Sequence, residues 1–129
     1  MIPSDGLLSD EVLATGLGGR PPELVLWFRK RLAAKCQGLQ EKFNPRSRYL
    51  GYATKGRNDV LYLYLQRQCL VIDIRLPADR AGQVKRLGFE VKPRLNYQGR
   101  AGWLTGIRVP YGTQKRGVLA DLALEALRD

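Results

Sequence analysis

The sequence predicts an α+β fold in two layers, with an antiparallel sheet of about five strands, a meander at its centre, packed by N- and C-terminal helices. Three short runs carry that prediction: Tyr49-Leu50-Gly51-Tyr52-Ala53, Val60-Leu61-Tyr62-Leu63-Tyr64-Leu65 and Leu70-Val71-Ile72-Asp73-Ile74-Arg75-Leu76. They are rich in β-branched, aromatic and aliphatic residues, and the polar breaks Lys55-Gly56-Arg57-Asn58 and Arg67-Gln68 separate them, as in a meander. Side chains alternate across a strand, so Leu70, Ile72, Ile74 and Leu76 share a core face while Asp73 and Arg75 lie on the other with Val71. The middle run is apolar or aromatic throughout, which predicts a central strand covered on both faces.

The first helix opens at Pro21-Pro22-Glu23, where proline suits the first turn and Glu23 complements the positive end of the dipole. Leu24, Phe28, Leu32 and Cys36 recur every four residues, with Val25 and Leu39 beside them, and Gly38 is placed to end the helix. Arg29, Lys30, Arg31 and Lys35 occupy the remaining faces and read as solvated. Residues 40–47 read as a polar link into the meander. After it, Pro77-Ala78-Asp79 starts a short helix through Val84 and Leu87 that Gly88 stops, and Phe89-Glu90-Val91-Lys92 is a strand that Pro93 confines to an edge or a terminus. A basic loop over 94–102 precedes a strand from Trp103 to Val109, and Pro110-Tyr111-Gly112 turns the chain. A closing helix over 114–127 carries Val118, Leu119, Leu122, Ala123 and Leu127 on one stripe, with Thr113 as its cap. Residues 1–20 are glycine-punctuated and lack a sustained period, so they read as an arm or linker ahead of a single domain over 21–129, although Leu7, Leu8, Val12 and Leu13 have the spacing of one short helix.

Composition narrows the function. The chain has no histidine, which removes the usual general base, the histidine-activated nucleophiles and most transition-metal sites. Cys36 and Cys69 are isolated and read as small core residues. No run approaches the roughly 20 apolar residues of a membrane span. The acidic N-terminus lacks the basic-then-apolar order of a signal peptide, and the expectation is a soluble, cytoplasmic protein. The net charge of +10 is unevenly spread, with 20 Lys+Arg against five acids between residues 29 and 116. Such a basic centre favours a polyanionic partner.

Three stretches combine cations, tyrosine and glycine: Arg48 and Tyr49 with Lys55 and Arg57; Arg94, Tyr97 and Arg100; and Tyr111, Lys115 and Arg116. Cations neutralise phosphates, tyrosine rings stack on unpaired bases, and glycine admits a close backbone, so together they predict a groove for nucleic acid. With no recognition helix in the sequence, backbone contact is expected rather than base reading. A second expectation is a Mg²⁺-dependent nuclease, with Asp73 and the Glu90-Val91-Lys92 triplet at neighbouring strand ends as two metal-binding carboxylates and a lysine. On the first reading no cofactor is expected, and Mg²⁺ belongs to the second alone. A third is docking on an acidic protein partner in a larger assembly, anchored by Trp27 or Trp103.

The helix Glu23-Leu24…Phe28…Leu32, the link Glu41-Lys42-Phe43, Tyr49-Leu50-Gly51-Tyr52, Val60-Leu61-Tyr62-Leu63, Cys69-Leu70-Val71-Ile72, Gly102-Trp103 and the final helix run over about residues 23–128. In this order they resemble a bacterial domain family of unknown function whose members occur alone or fused to predicted transport-type or restriction-nuclease-type modules. The chain departs from that family before Trp103, where it has Asn96-Tyr97-Gln98-Gly99-Arg100 instead of a glycine-rich segment with a histidine. The resemblance implies the same α+β fold and a link to restriction, defence or DNA-processing systems, and it brings no established active site.

Overall fold

The computed structural model describes residues 6–54, 61–94 and 104–128, the side chains at 78, 93, 94 and 104 aside. Its order is α1 (Asp10–Leu17), α2 (Glu23–Lys35), β1 (Leu39–Asn44), β2 (Tyr49–Thr54), β3 (Leu61–Leu65), β4 (Cys69–Ile74), α3 (Ala78–Arg86), β5 (Glu90–Arg94), β6 (Leu104–Pro110) and α4 (Arg116–Arg128). The strands form one sheet in the order β1-β2-β3-β4-β6-β5, with every neighbouring pair antiparallel. The fold is the expected two-layer α+β arrangement with six strands instead of five. No helix among the described residues is long and apolar enough to cross a membrane.

Register divides the sheet into two faces. Leu50, Leu63, Ile72 and Ile107 are cross-strand partners, and with Tyr52, Leu61, Leu65, Leu70, Ile74 and Val109 they meet the buried stripes of α2 and α4 in one core. The Leu24, Phe28 and Leu32 positions of α2 are fully or almost fully buried, as their spacing requires. On the opposite face lie Tyr49, Tyr62, Tyr64, Val71, Asp73 and Arg108.

The additional strand is the segment read as a polar link. In β1, Leu39, Glu41 and Phe43 alternate toward the core, but the middle position is a carboxylate, so the period-two signal is broken. Glu41 can be buried because Arg29, read as solvated, is buried as well, at 4% exposed. Arg29 donates from Nε to Glu41 Oε2 and from Nη2 to Glu41 Oε1, each at 2.9 Å. The Tyr52 hydroxyl donates to Oε2 at 2.5 Å and the Leu8 backbone N–H to Oε1 at 3.0 Å. Arg29 also reaches Asp10 and the Leu8 carbonyl. Isolated in a low-dielectric core either charge would be expensive, and the shared bonds make the burial possible.

This network corrects the expectation of an arm over 1–20. In its described part, Ser9 caps α1 by accepting from the Val12 N–H at 3.1 Å, and Gly18, at φ 75°, closes it in the left-handed region. Leu13 is fully buried in the core, and the Glu41 N–H donates to the Gly6 carbonyl at 2.8 Å, so the segment covers part of the β1 edge. A Cβ on Gly6 would lie 1.7 Å from the Leu39 carbonyl oxygen, which makes glycine obligatory there.

Two outcomes check this account. Leu13→Ala is expected to lose about 2–5 kcal/mol in urea unfolding, as a core leucine does, whereas a leucine in a free arm would leave the midpoint unmoved. Burial, with Glu41 adding and Arg29 opposing, holds the Tyr52 phenol well above its ordinary value of 10. The unfolded chain therefore releases this proton first, and the contribution is complete below pH 10 and is lost as pH rises toward the folded value. Unfolding midpoints on either side of pH 10 are expected to fall less steeply in Tyr52→Phe than in the parent, and equal slopes would contradict the assignment.

Candidate nucleic-acid interface

In a meander successive turns alternate between the two ends of the sheet, and this decides which candidate residues meet. The β1–β2 turn (45–48), the β3–β4 turn (66–68) and the β6–α4 connection (111–115) share one end. β2 ends at the other, to which the backbone of Arg94 at the close of β5 belongs. A five-residue strand separates the two ends by about 17 Å. Among the described residues, Arg48, Tyr49, Tyr111, Lys115 and Arg116 gather at one end, and the backbone of Arg94 lies at the other. Lys55, Arg57, Tyr97, Arg100 and Trp103 are outside the described residues, as is the side chain of Arg94.

The first end is laced together by its own polar side chains. Arg48 occupies the left-handed region at φ 54°, uncommon for a residue with a side chain. Its Nε donates to the Leu65 carbonyl at 3.4 Å and its Nη1 to the Leu17 carbonyl at 3.3 Å, tying the first turn to β3 and to the end of α1. The Tyr111 hydroxyl donates to the Gln66 carbonyl at 2.5 Å, and burial pushes its pKa above the ordinary 10, with Cys69 adding and the Arg48 charge opposing. Lys115 Nζ donates to the Leu87 carbonyl at 2.6 Å, joining the end of α3 to the chain ahead of α4. Carbonyl oxygens are the acceptors for Arg48 and Lys115, so both side chains are held in place and neither charge is neutralised by the bond.

Arg116 differs. It grips both Glu23 oxygens at 2.9 and 3.0 Å, and its guanidinium lies 4.6 Å from the Trp27 ring centre. Glu23 offsets its charge and Trp27 stacks beneath it, which gives Trp27 a local role in joining α2 to α4. Tyr49 packs against Tyr64 and Tyr62, with ring centres 5.1 and 5.6 Å apart, on the face opposite the core beside this end. Arg46 and Arg67 complete it as exposed cations on adjacent turns. Sequence reasoning missed Arg67. Its turn lies beside Arg46 because the start of β2 and the β3–β4 turn share one end of the meander.

The residues of the nuclease expectation share the face opposite the core but not neighbouring strand ends. β6 lies between β4 and β5, and Gly106 is the partner of Asp73 on one side and Lys92 on the other. Glu90 opposes Arg108 two pairs further along, two strands away from Asp73, which puts the two carboxylate Cα atoms about 12 Å apart. Lys92 Nζ lies 3.5 Å from Glu90 Oε1 and Arg108 Nε 3.9 Å from Glu90 Oε2. Asp73 is buried at 3% exposed, and among the described residues no three metal-ligating side chains cluster.

Compared with protein-family models, curated proteins and solved structures, the chain has no match in any of the three.

Proposed function

We propose that this protein is a non-catalytic module that binds nucleic acid by its phosphates, through the end of the sheet that carries Arg46, Arg48, Arg67 and Lys115. The observation behind the proposal is the choice of acceptors there: Arg48 and Lys115 are fixed by carbonyl oxygens instead of carboxylates, beside the exposed Arg46 and Arg67. A rigid surface whose cations keep their charge attracts a polyanion and loses little conformational freedom on meeting it. The overall charge of +10 acts in the same direction at longer range. The resemblance to domains fused to restriction-nuclease-type modules supports a place in a restriction, defence or DNA-processing system. Contacts limited to phosphates make the binding insensitive to base sequence.

The double variant Arg46→Glu/Arg67→Glu tests this reading without touching the lacing residues. Anisotropy with labelled oligonucleotides over a salt series is expected to show affinity at least about tenfold lower and a log–log salt slope reduced by about two, with the thermal midpoint unchanged. Unaltered affinity would remove this end of the sheet as the interface. Absence of binding by the parent at low salt, with capture of an acidic protein instead, would replace nucleic acid by that protein as the partner.

A further inference from the structure

A cleft of about 490 Å³ opens beside Lys115, between the α3–β5 corner, the β3–β4 turn and the β6–α4 connection. That volume is in the range of about 300–1,000 Å³ that small ligands occupy. Leu87, Phe89 and Pro110 supply apolar walls, and Gln68, Glu90, Arg108 and Lys115 are the long polar side chains on its lining. The bond from Lys115 to the Leu87 carbonyl clamps two of the walls together and leaves the ammonium at the lining. Glu90 faces Nε of Arg108, at 3.9 Å.

The combination fits one chemistry. Apolar walls take an aromatic heterocycle, the Gln68 amide and the Glu90 carboxylate offer acceptors to its exocyclic amino groups, and Arg108 and Lys115, two cations against that one carboxylate, take a phosphate. Another groove, about 720 Å³ between the N-terminal segment and α2, has Arg20 and Lys30 on its lining but also Asp10 and Glu23, two carboxylates where the cleft has Glu90 alone, and its Arg29 is engaged by Glu41 and Asp10. We propose that the cleft beside Lys115 receives a single unstacked nucleotide, its base between Leu87, Phe89 and Pro110 and its phosphate on Arg108 and Lys115. The proposal rests on the reading of the sheet end as a phosphate-binding surface, and it adds a seat for one nucleotide at the edge of that surface. A free nucleotide and a unit of a single strand carry the same recognised chemistry.

Backbone amide shifts in the full chain test the seat. Adenosine monophosphate is expected to move the Gly88, Gly112 and Thr113 amides saturably, while inorganic phosphate alone does not. Arg108→Gln is expected to weaken the adenosine monophosphate effect about tenfold, the loss of one charge-assisted contact. Gly112→Phe is the steric counterpart. A Cβ at this position meets nothing within 4 Å, so the fold should tolerate the ring while the seat is obstructed. Unmoved amides, equal shifts with phosphate alone, or full affinity in both variants would each overturn the seat. A short single-stranded oligonucleotide that shifts the same amides identifies a strand unit as the ligand, and shifts with the mononucleotide alone identify a free nucleotide. Oligonucleotide binding that depends on Arg46 and Arg67 but leaves these amides unmoved would remove the seat and keep the surface. Mononucleotide shifts without any oligonucleotide binding would do the reverse.

Discussion

The arrangement of this molecule depends on one buried ion pair, Arg29 with Glu41. Removing a guanidinium and a carboxylate from water costs several kcal/mol per ion even after relaxation, so the pair is tolerable only with its hydrogen-bonding groups occupied. Here they are shared among Glu41, Asp10, the Leu8 carbonyl, the Leu8 N–H and the Tyr52 hydroxyl. A hydrophobic pair of similar volume would stabilise the core comparably without setting directions. The bidentate bond does set them, fixing α2 over β1 and β2 and drawing the N-terminal segment onto the β1 edge.

That geometry reaches the basic end through the helices it positions. α1 lies so that the Leu17 carbonyl accepts from Arg48, and α2 so that Glu23 meets Arg116. Lys115 and Tyr111 complete the lacing from the far side of the sheet. The charged surface is therefore assembled from turns and helix ends far apart in sequence, each held by a carbonyl or carboxylate of another element. Rigidity of this kind suits contact with a phosphate backbone, because the ordering cost has been met on folding.

The meander, α3, α4 and the edge position of the Pro93 strand were legible because each rests on local rules: alternation, helical spacing, and turn or capping residues. β1 was not, because its central inward residue is Glu41, and its burial makes sense only once Arg29 is known to face it. Arg29 was misplaced for the complementary reason, since an arginine among three other basic residues on a helix reads as solvated. The site was hidden for another reason: Arg48 and Arg94 were assigned to one groove by residue type, and only the register puts them at opposite ends of the sheet. The candidate residues were thus mostly visible as residue types, while their partition between the two ends of the sheet was a property of the topology.

Whether this surface meets a polyanion is decided by the salt dependence of oligonucleotide affinity for the unmodified chain. Engagement by the exposed and laced cations together at this end of the sheet predicts log affinity falling linearly with log salt, with a slope of about three to five. A flat dependence, or no affinity at the lowest salt, would contradict the assignment of this surface to a polyanion.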